Sequence, residues 1–534
     1  MKSKNSLRML VVPALLFSFM LSPASDVSAA DWSAPESIGS GQGWMVLSPS
    51  IAGNAMGQEI VAWMEWDVDT AAGVWANQYA PATGWAGAVL LAEIVDLVGY
   101  SAAGIDDDGV CTVAWIDGAT VLSMSYIPSS GWQEPVTVGI SSGRWAYGLQ
   151  LAVSPGGAAM LIWFEDSQSS YGPILTSYRS SPDSAWTAPV PIQQSADPLM
   201  YPSIAIDGQG VVIAVFSLYD GDLWGIWANR YVPGYGWEGE RPIQSETGPG
   251  FAPSLSVTRN GNAVACWQQF EGSWSPPSVP YVNMYTPATG WGTAMNLEDA
   301  PHAGCASPDV ALGEDGSAVA AWRMIIPDQS ASYIRTSRYV PEMGWSAPTT
   351  LDGSLNGLDT DVAVGPDSNA YISWIGGFDW QNSTNDIFVS HYNDSVGWEP
   401  TVLLAEGNCS APDVLAENDG GAVVLFARET SGWDVFVCRL AGSGTPLLDP
   451  TKPVAVIDAY ARANCRVWAF DARGSTDDVK VVKYAWDFDD GCLSRARYVS
   501  HCYKAPGQYT VTLTVWDGDG NSNTLSMSIM VAPR

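Results

Sequence analysis

The stretch RYVPEMGWSAP, Arg338 to Pro348, decides the fold because the chain says it repeatedly. NQYAPATGWAGA ends at Ala88, NRYVPGYGWEGE at Glu240 and NMYTPATGWGTA at Ala294. The tryptophans that close the phrase, or stand in its place, are Trp32, Trp85, Trp132, Trp186, Trp237, Trp291, Trp345 and Trp398. They recur about every 52 residues, a period that belongs to stacked or radial repeats. A second aromatic series keeps step: Trp63, Trp115, Trp163, Phe216, Trp267, Trp322, Trp374 and Phe426. Each ends a short apolar run such as EIVAW, CTVAW or AVACW. A polar turn such as IDGQG or LGEDG precedes most of these runs, and a segment such as PSIAI or PDVAL comes before the turn.

One unit therefore reads as four short strands, and four strands in a period of about 40–55 residues is the signature of a β-propeller blade. Strand A is the PSIAI-like segment, strand B ends at the second-series aromatic, strand C runs to Tyr-x-Pro, and strand D opens at Gly-Trp. Strands A and B read as apolar on both faces, as in a sheet sandwiched between neighbours. Proline follows the strand D tryptophan at Pro35, Pro135, Pro189, Pro242, Pro348 and Pro400. It cannot donate to a ladder, so D is the outer edge and A the inner one. Eight A-B-C units and eight D strands are counted. The first D strand, WSAPESI from Trp32, has no unit before it, and the last unit has no D strand after it. The expectation is an all-β protein: an eight-bladed propeller over residues 31–440, its N-terminal strand closing the last blade. Seven blades with an irregular insert is the alternative.

Ahead of the repeats, Lys2, Lys4 and Arg8 precede the apolar run Met9–Leu21 and the small-residue segment ending VSAA, so residues 1–30 read as a secretory signal peptide. The expected destination is secreted, periplasmic or cell-surface, without membrane insertion. The formal net charge is −33, and no lysine occurs between Asn5 and Thr451. Such a field repels nucleic acid, anionic lipid and polyanionic sugars. The eight cysteines are exposed to an oxidising destination, and Cys492 with Cys502 is the candidate disulfide; the other six cannot be paired by spacing. With no CxxC and only three histidines, a zinc site is not expected.

Residues 441–452 read as a linker, and residues 453–533 form a separate β domain. Its segments PVAVIDA, FDARGSTDD, YAWDFDDG and HCYKAPGQYTVTLTVWDGDGN resemble the polycystic-kidney-disease (PKD) domain family, in order and spacing. The resemblance implies an Ig-like β-sandwich acting as a spacer or interaction module. Asp489 stands where the family usually has glycine, which bears on the local turn. Asp517, Asp519 and Asn521 resemble the start of a calcium loop, but Ser522 and Ser528 replace its glycine and glutamate. Calcium is the one ion this leaves open; no cofactor is required. The N-terminal repeats are similar to those of bacterial secreted β-propeller repeat proteins, without a specific family.

In a four-stranded antiparallel blade the A–B and C–D turns share one face, and the B–C and D–A loops the other. The repeated phrase lies on the regular face, so function is sought opposite. Seven tryptophans that the repeat does not require fall there: Trp44, Trp66, Trp145, Trp224, Trp274, Trp380 and Trp433. Exposed rings of this kind stack on sugars or anchor protein interfaces. Beside them, just after strand B, stand Glu65, Asp117, Glu165, Asp220, Glu271, Asp328, Asp379 and Glu429. The expected function is binding or adhesion to a neutral glycan or a surface protein, by a monomer. A glycoside hydrolase or polysaccharide lyase is the enzymatic alternative, and a structural surface protein without small ligand the third. No catalytic residue can be nominated, because a ring of acids marks no pair.

Overall fold

The computed structural model describes residues 32–41, 45–66, 72–141, 145–167, 170–193, 199–244, 248–270, 277–298, 304–326, 331–351, 356–379, 384–442, 453–461, 466–476, 481, 483–516 and 522–532. Residues 1–31, most of 441–452, Trp44, Trp274, Trp380, Glu271, Asp328, Cys465, Asp517, Asp519 and Asn521 lie outside them, as does the side chain of Asp379. The described residues are all-β: ten antiparallel sheets, eight before residue 441 and two after 452.

The first strands of the eight sheets are Met45–Gly53, Leu97–Ile105, Trp145–Val153, Leu199–Ile206, Gly250–Val257, Gly304–Leu312, Leu358–Val364 and Cys409–Ala416. In each sheet the strands follow one another as successive hairpins, first to fourth. In six of the eight sheets the fourth strand is broken into two short pieces, both paired with the third strand. In the first sheet, for example, Gly84–Trp85 and Val89–Ile94 both pair with Ala72–Ala80. The eighth sheet takes its outer strand from the other end of the chain. Trp32 bridges to Leu440, and Glu36 and Ser37 pair with Val437 and Phe436.

The second-series aromatics hold neighbouring sheets together. All eight are 2% exposed or less. Trp115 packs on Ile60 and Ala62 of the sheet before it, Trp267 on Ile213 and Val215, and Trp374 on Val319 and Ala321. The succession closes, because Trp63 of the first sheet packs on Val423 and Leu425 of the eighth. Each fully buried aromatic contributes about 2–3 kcal/mol of transfer free energy, so the core is divided among the joints between sheets. The first joint carries a polar clasp as well. Arg439 of the eighth sheet donates from Nη1 and Nη2 to Glu59 Oε1 and Oε2 of the first (2.8 and 2.9 Å), and from Nη1 to Glu417 Oε1 (2.6 Å). Its guanidinium lies 4.0 Å from the Tyr79 ring centroid.

The repeated phrase is structural throughout. Tyr339 and Trp345 are cross-strand partners with ring centroids 5.5 Å apart, and five other sheets repeat the pair within 5.3–5.5 Å. Its glycine turns in the left-handed region (Gly344, φ 85°), which a Cβ disfavours.

After the linker, a three-stranded sheet (Asp458–Ala461, Val467–Asp471, Tyr498–Cys502) and a four-stranded sheet (Leu493–Ser494, Lys483–Asp487, Gly507–Trp516, Ser522–Val531) enclose one core. Phe470, Trp486, Val511, Leu513 and Val515 belong to it, so the alternation in TVTLTVW does place one face inside. Asp489 adopts φ 61° and accepts the Thr510 amide on Oδ2 at 2.9 Å. The turn needs a left-handed residue, and aspartate meets that need with a compensating hydrogen bond. The expected Cys492–Cys502 disulfide does not form; both thiols are free and exposed. Consecutive strand residues face opposite sides, and His501 is turned toward Asp490 at 2.9 Å, so Cys502 points away from the Cys492 hairpin.

Candidate functional site

The first strands neighbour one another around the whole succession of sheets. Each carries a register shift against its second strand. In each, a residue before the shift closes is left-handed: Ser48, Gly99, Gly148, Tyr201, Ala252, Ser307, Asp359 and Ala411, with φ between 40° and 81°. Six are not glycine, and that conformation costs an L-residue about 1–2 kcal/mol. Strain repeated at one end of every first strand marks that end as a place where backbone direction is set at a cost. It is the end reached by the loops between sheets, the face opposite the repeated phrase.

There the first strands of the second to fifth sheets enclose a cleft of about 620 Å³. Tyr100, Leu149, Phe164, Met200 and Tyr201 line it, with Gln150 as a polar group. Tyr201 is 55% exposed, although bulky aromatics normally avoid φ 52°. Phe164 stacks on Tyr147 at 5.6 Å and fills the space over Gly148, where a Cβ would meet the ring at 2.2 Å. Gln150 is fixed by donating to Pro202 O (2.8 Å) and accepting from Ile204 N (3.2 Å). The cleft is apolar-walled, with aromatic faces and a small polar floor.

The first strands also depart from the expected pattern of apolar residues on both faces. One register position, opposite the residue before the second-series aromatic, holds Ser50, Ala102, Gln150, Ser203, Ser254, Asp309, Asp361 and Asp413. Seven of these eight are polar, and several reach across to the next first strand. Asp309 Oδ2 accepts from Val362 N (2.8 Å), Asp361 Oδ2 from Val414 N (2.6 Å) and Asp413 Oδ2 from Ile51 N (3.0 Å). Burial raises all three carboxyls above their ordinary range, Asp413 to about 6, and Asp361 is pushed up further by Asp413 and Asp309 on either side. This row was concealed in the sequence as the single aspartate of segments such as PDVAL. It is found only once each strand is laid on its partner.

The nominated acids after strand B serve loops in most cases that are described. Glu65, 7% exposed, accepts Ser40 Oγ and, at 3.4 Å, Trp63 Nε1. Asp117 Oδ1 accepts Val95 N and Asp96 N at 3.3 and 2.9 Å. Asp220 Oδ1 accepts Leu223 N and Asp222 N at 3.0 and 3.1 Å, and these bonds hold its carboxyl below the usual range. Glu429 Oε2 accepts Asn408 Nδ2 at 2.7 Å. Glu165 is half-buried in its strand. Among the tryptophans, Trp145 is 44% exposed at the start of a first strand, three residues before Gly148. Trp66 and Trp433 are half-buried against the clusters at the first two joints. Trp224 is corrected: at 9% exposure it packs between Tyr219 and Phe251, 5.7 and 5.9 Å away, and is wall material with no open face.

Comparison with known proteins identifies the C-terminal module. Residues 450–531 match the model of the PKD domain family, and this part of the chain is a PKD domain; the N-terminal part has no specific family. A microbial collagenase of Vibrio alginolyticus is 33% identical over 88 residues, which are 16% of this chain and 11% of that protein. The chain thus spans about a tenth of that relative. The solved PKD1 domain of Vibrio anguillarum Epp is 34% identical, covering 15% of this chain and 94% of that one, with a TM-score of 0.14 over the long chain. An ulvan lyase, a polysaccharide lyase, covers 65% of this chain and 93% of its own at 12% identity and a TM-score of 0.43, a likeness too low to carry function. No helix among the described residues is long and apolar enough to cross a membrane.

Proposed function

We propose that the eight sheets are the blades of an eight-bladed propeller, and that the protein is an exported binding protein for a neutral glycan. The observation that carries this reading is the aromatic cleft, with Tyr201 held exposed in a left-handed backbone beside Tyr100 and Phe164. An aromatic face presented next to a fixed amide suits the apolar face and hydroxyl edge of a pyranose. The surrounding negative charge disfavours anionic sugars. The PKD domain then serves as spacer or second contact. Neither calcium nor a cofactor enters this reading.

Glycan-array binding by the mature chain tests it. Tyr201→Ala is expected to weaken binding at least about tenfold with the melting temperature within about 2 °C of the parent. Trp145→Ala, three residues before Gly148 and outside the cleft lining, is expected to weaken it less. Trp224→Ala instead is expected to lower the melting temperature by several degrees, because it empties a packed wall. If Tyr201→Ala binds every glycan as the parent does, the cleft is not the site.

The enzymatic alternative has less behind it: Asp309, Asp361 and Asp413 form one row of raised carboxyls, but each accepts a backbone amide of the next first strand and none lines the cleft. Release of reducing ends from a bound glycan decides for a hydrolase or lyase, and binding without turnover decides against it.

A further inference from the structure

We propose that Asp490, Cys492 and His501 form a binding site on the PKD domain for a zinc-class divalent cation. One donor atom from each lies within 4.8 Å of the other two, a spacing that a single small ion can span. The set is mixed: a carboxylate oxygen, a thiol sulfur and an imidazole nitrogen. Borderline-soft first-row ions take such a set, whereas calcium, which wants six or more oxygens, does not. Three protein donors leave a fourth position for water.

The local backbone brings the donors together. Between Lys483–Asp487 and Leu493–Ser494 the chain reverses through left-handed residues at Asp489 (φ 61°) and Gly491 (φ 84°). The Cys492 amide donates to Asp490 Oδ1 at 3.1 Å, fixing the two side chains to one hairpin. His501 comes from the other sheet of the domain, on Tyr498–Cys502. Its ring lies flat on Phe488, centroids 4.2 Å apart and planes 6° apart, and Tyr503 meets it edge-on at 4.6 Å. That packing holds Nε2 at 2.9 Å from Asp490 Oδ2. Restricting a ligand ring in this way lowers the entropy lost on coordination. The Asp490 and His501 side chains remain 14% and 13% exposed and Cys492 is exposed, so an ion can reach them from solvent.

Coordination balances simply. The Cys492 thiol releases its proton to water, the imidazole proton moves to Nδ1, and the ion takes the thiolate, Nε2 and a carboxylate oxygen. Binding therefore tightens as pH rises. Because its ligands come from both sheets, the ion would also tie the sandwich together.

The test is titration of the reduced, full mature chain with Co²⁺ under anaerobic conditions. One equivalent is expected to raise a thiolate-to-cobalt charge-transfer band that Zn²⁺ abolishes and Ca²⁺ leaves intact. Cys492→Ser is expected to remove the band, and Asp490→Asn and His501→Gln to weaken binding at least about tenfold. Cys502→Ser, whose side chain faces away, retains it. Circular dichroism checks that the His501→Gln domain is folded; if it is not, Asp490→Asn carries the same comparison. Absence of the band in the reduced parent chain, or equal binding by Asp490→Asn and the parent, overturns the proposal. So does loss of the band in Cys502→Ser.

Discussion

Arg439→Ala is expected to destabilise the eight-sheet part of the protein by about 3–5 kcal/mol at pH 8, the range for removing one partner of a buried ion pair. Glu59 is 1% exposed, and its carboxyl is already pushed up by burial in spite of Arg439. Burial likewise raises Glu417 to about 7, with Arg439 opposing and Glu59 and Asp419 adding to the rise. Without the guanidinium, two carboxylates of the closing joint would face each other with no counter-charge. They would bind protons, loosen the joint, or both. Arg439→Lys should recover only part of the loss, because a point charge cannot match the two parallel bonds to Glu59 and the third to Glu417. The deficit should shrink at about pH 5, where both glutamates can be neutral. Urea denaturation at the two pH values measures this. An equal loss at both would mean that stacking of the Arg439 guanidinium on Tyr79, not its pairing with the two glutamates, is what the substitution removes.

Asp361→Asn is expected to act in the opposite direction, stabilising the protein by about 1–2 kcal/mol at pH 8 and by little or nothing at about pH 4.5. Asp361 is flanked by Asp309 and Asp413 on the adjoining first strands, and all three carboxyls are raised. A raised carboxyl holds more protons folded than unfolded between its unfolded value and its folded one. Stability is therefore greatest below the unfolded value and falls as pH climbs through the folded one, near 6 for Asp413. Asp106, raised to about 6 by burial, and Glu417 add to the same window. Asparagine can still accept from Val414 N and can donate to either neighbour. The parent protein should accordingly melt at a lower temperature at about pH 8 than at about pH 5, and the variant should show a shallower slope. A variant less stable than the parent at pH 8 would refute the account.

Much of the architecture could be read because it is carried by large side chains at a fixed period. Trp345 and its equivalents counted the units, Trp63 and its series marked the joints, and the unpartnered segment from Trp32 implied the pairing with Leu440. The site was less legible for three physical reasons. The left-handed conformation favours glycine, yet Ser48, Ala252 and Ala411 hold it, so no residue type in the sequence marks those positions. The polar register position occupies a single place in otherwise apolar strands, so hydrophobic patterning averages Asp309 and Asp361 away. Short spacing between Cys492 and Cys502 suggested a bond, but strand parity decides which side a thiol faces, and it turned His501 instead of Cys502 toward the hairpin. Tryptophan identity alone could not separate Trp145, which is open, from Trp224, which is enclosed.

The pairing of Glu36 and Ser37 with Val437 and Phe436 also sets a timetable. A chain that emerges N-terminus first presents this strand early and must keep it unpaired until roughly 400 more residues have appeared. The entropy of closing so long a loop grows only logarithmically, so the final state is hardly penalised. The rate is another matter, since contacts of large sequence separation are slow to form. Until then Trp63 and Val423 lie on open flanks of the first and eighth sheets, and the unfinished molecule is sticky at both ends. Closure is thus expected to come late, and a partly folded chain that lacks it is the form most exposed to misassembly.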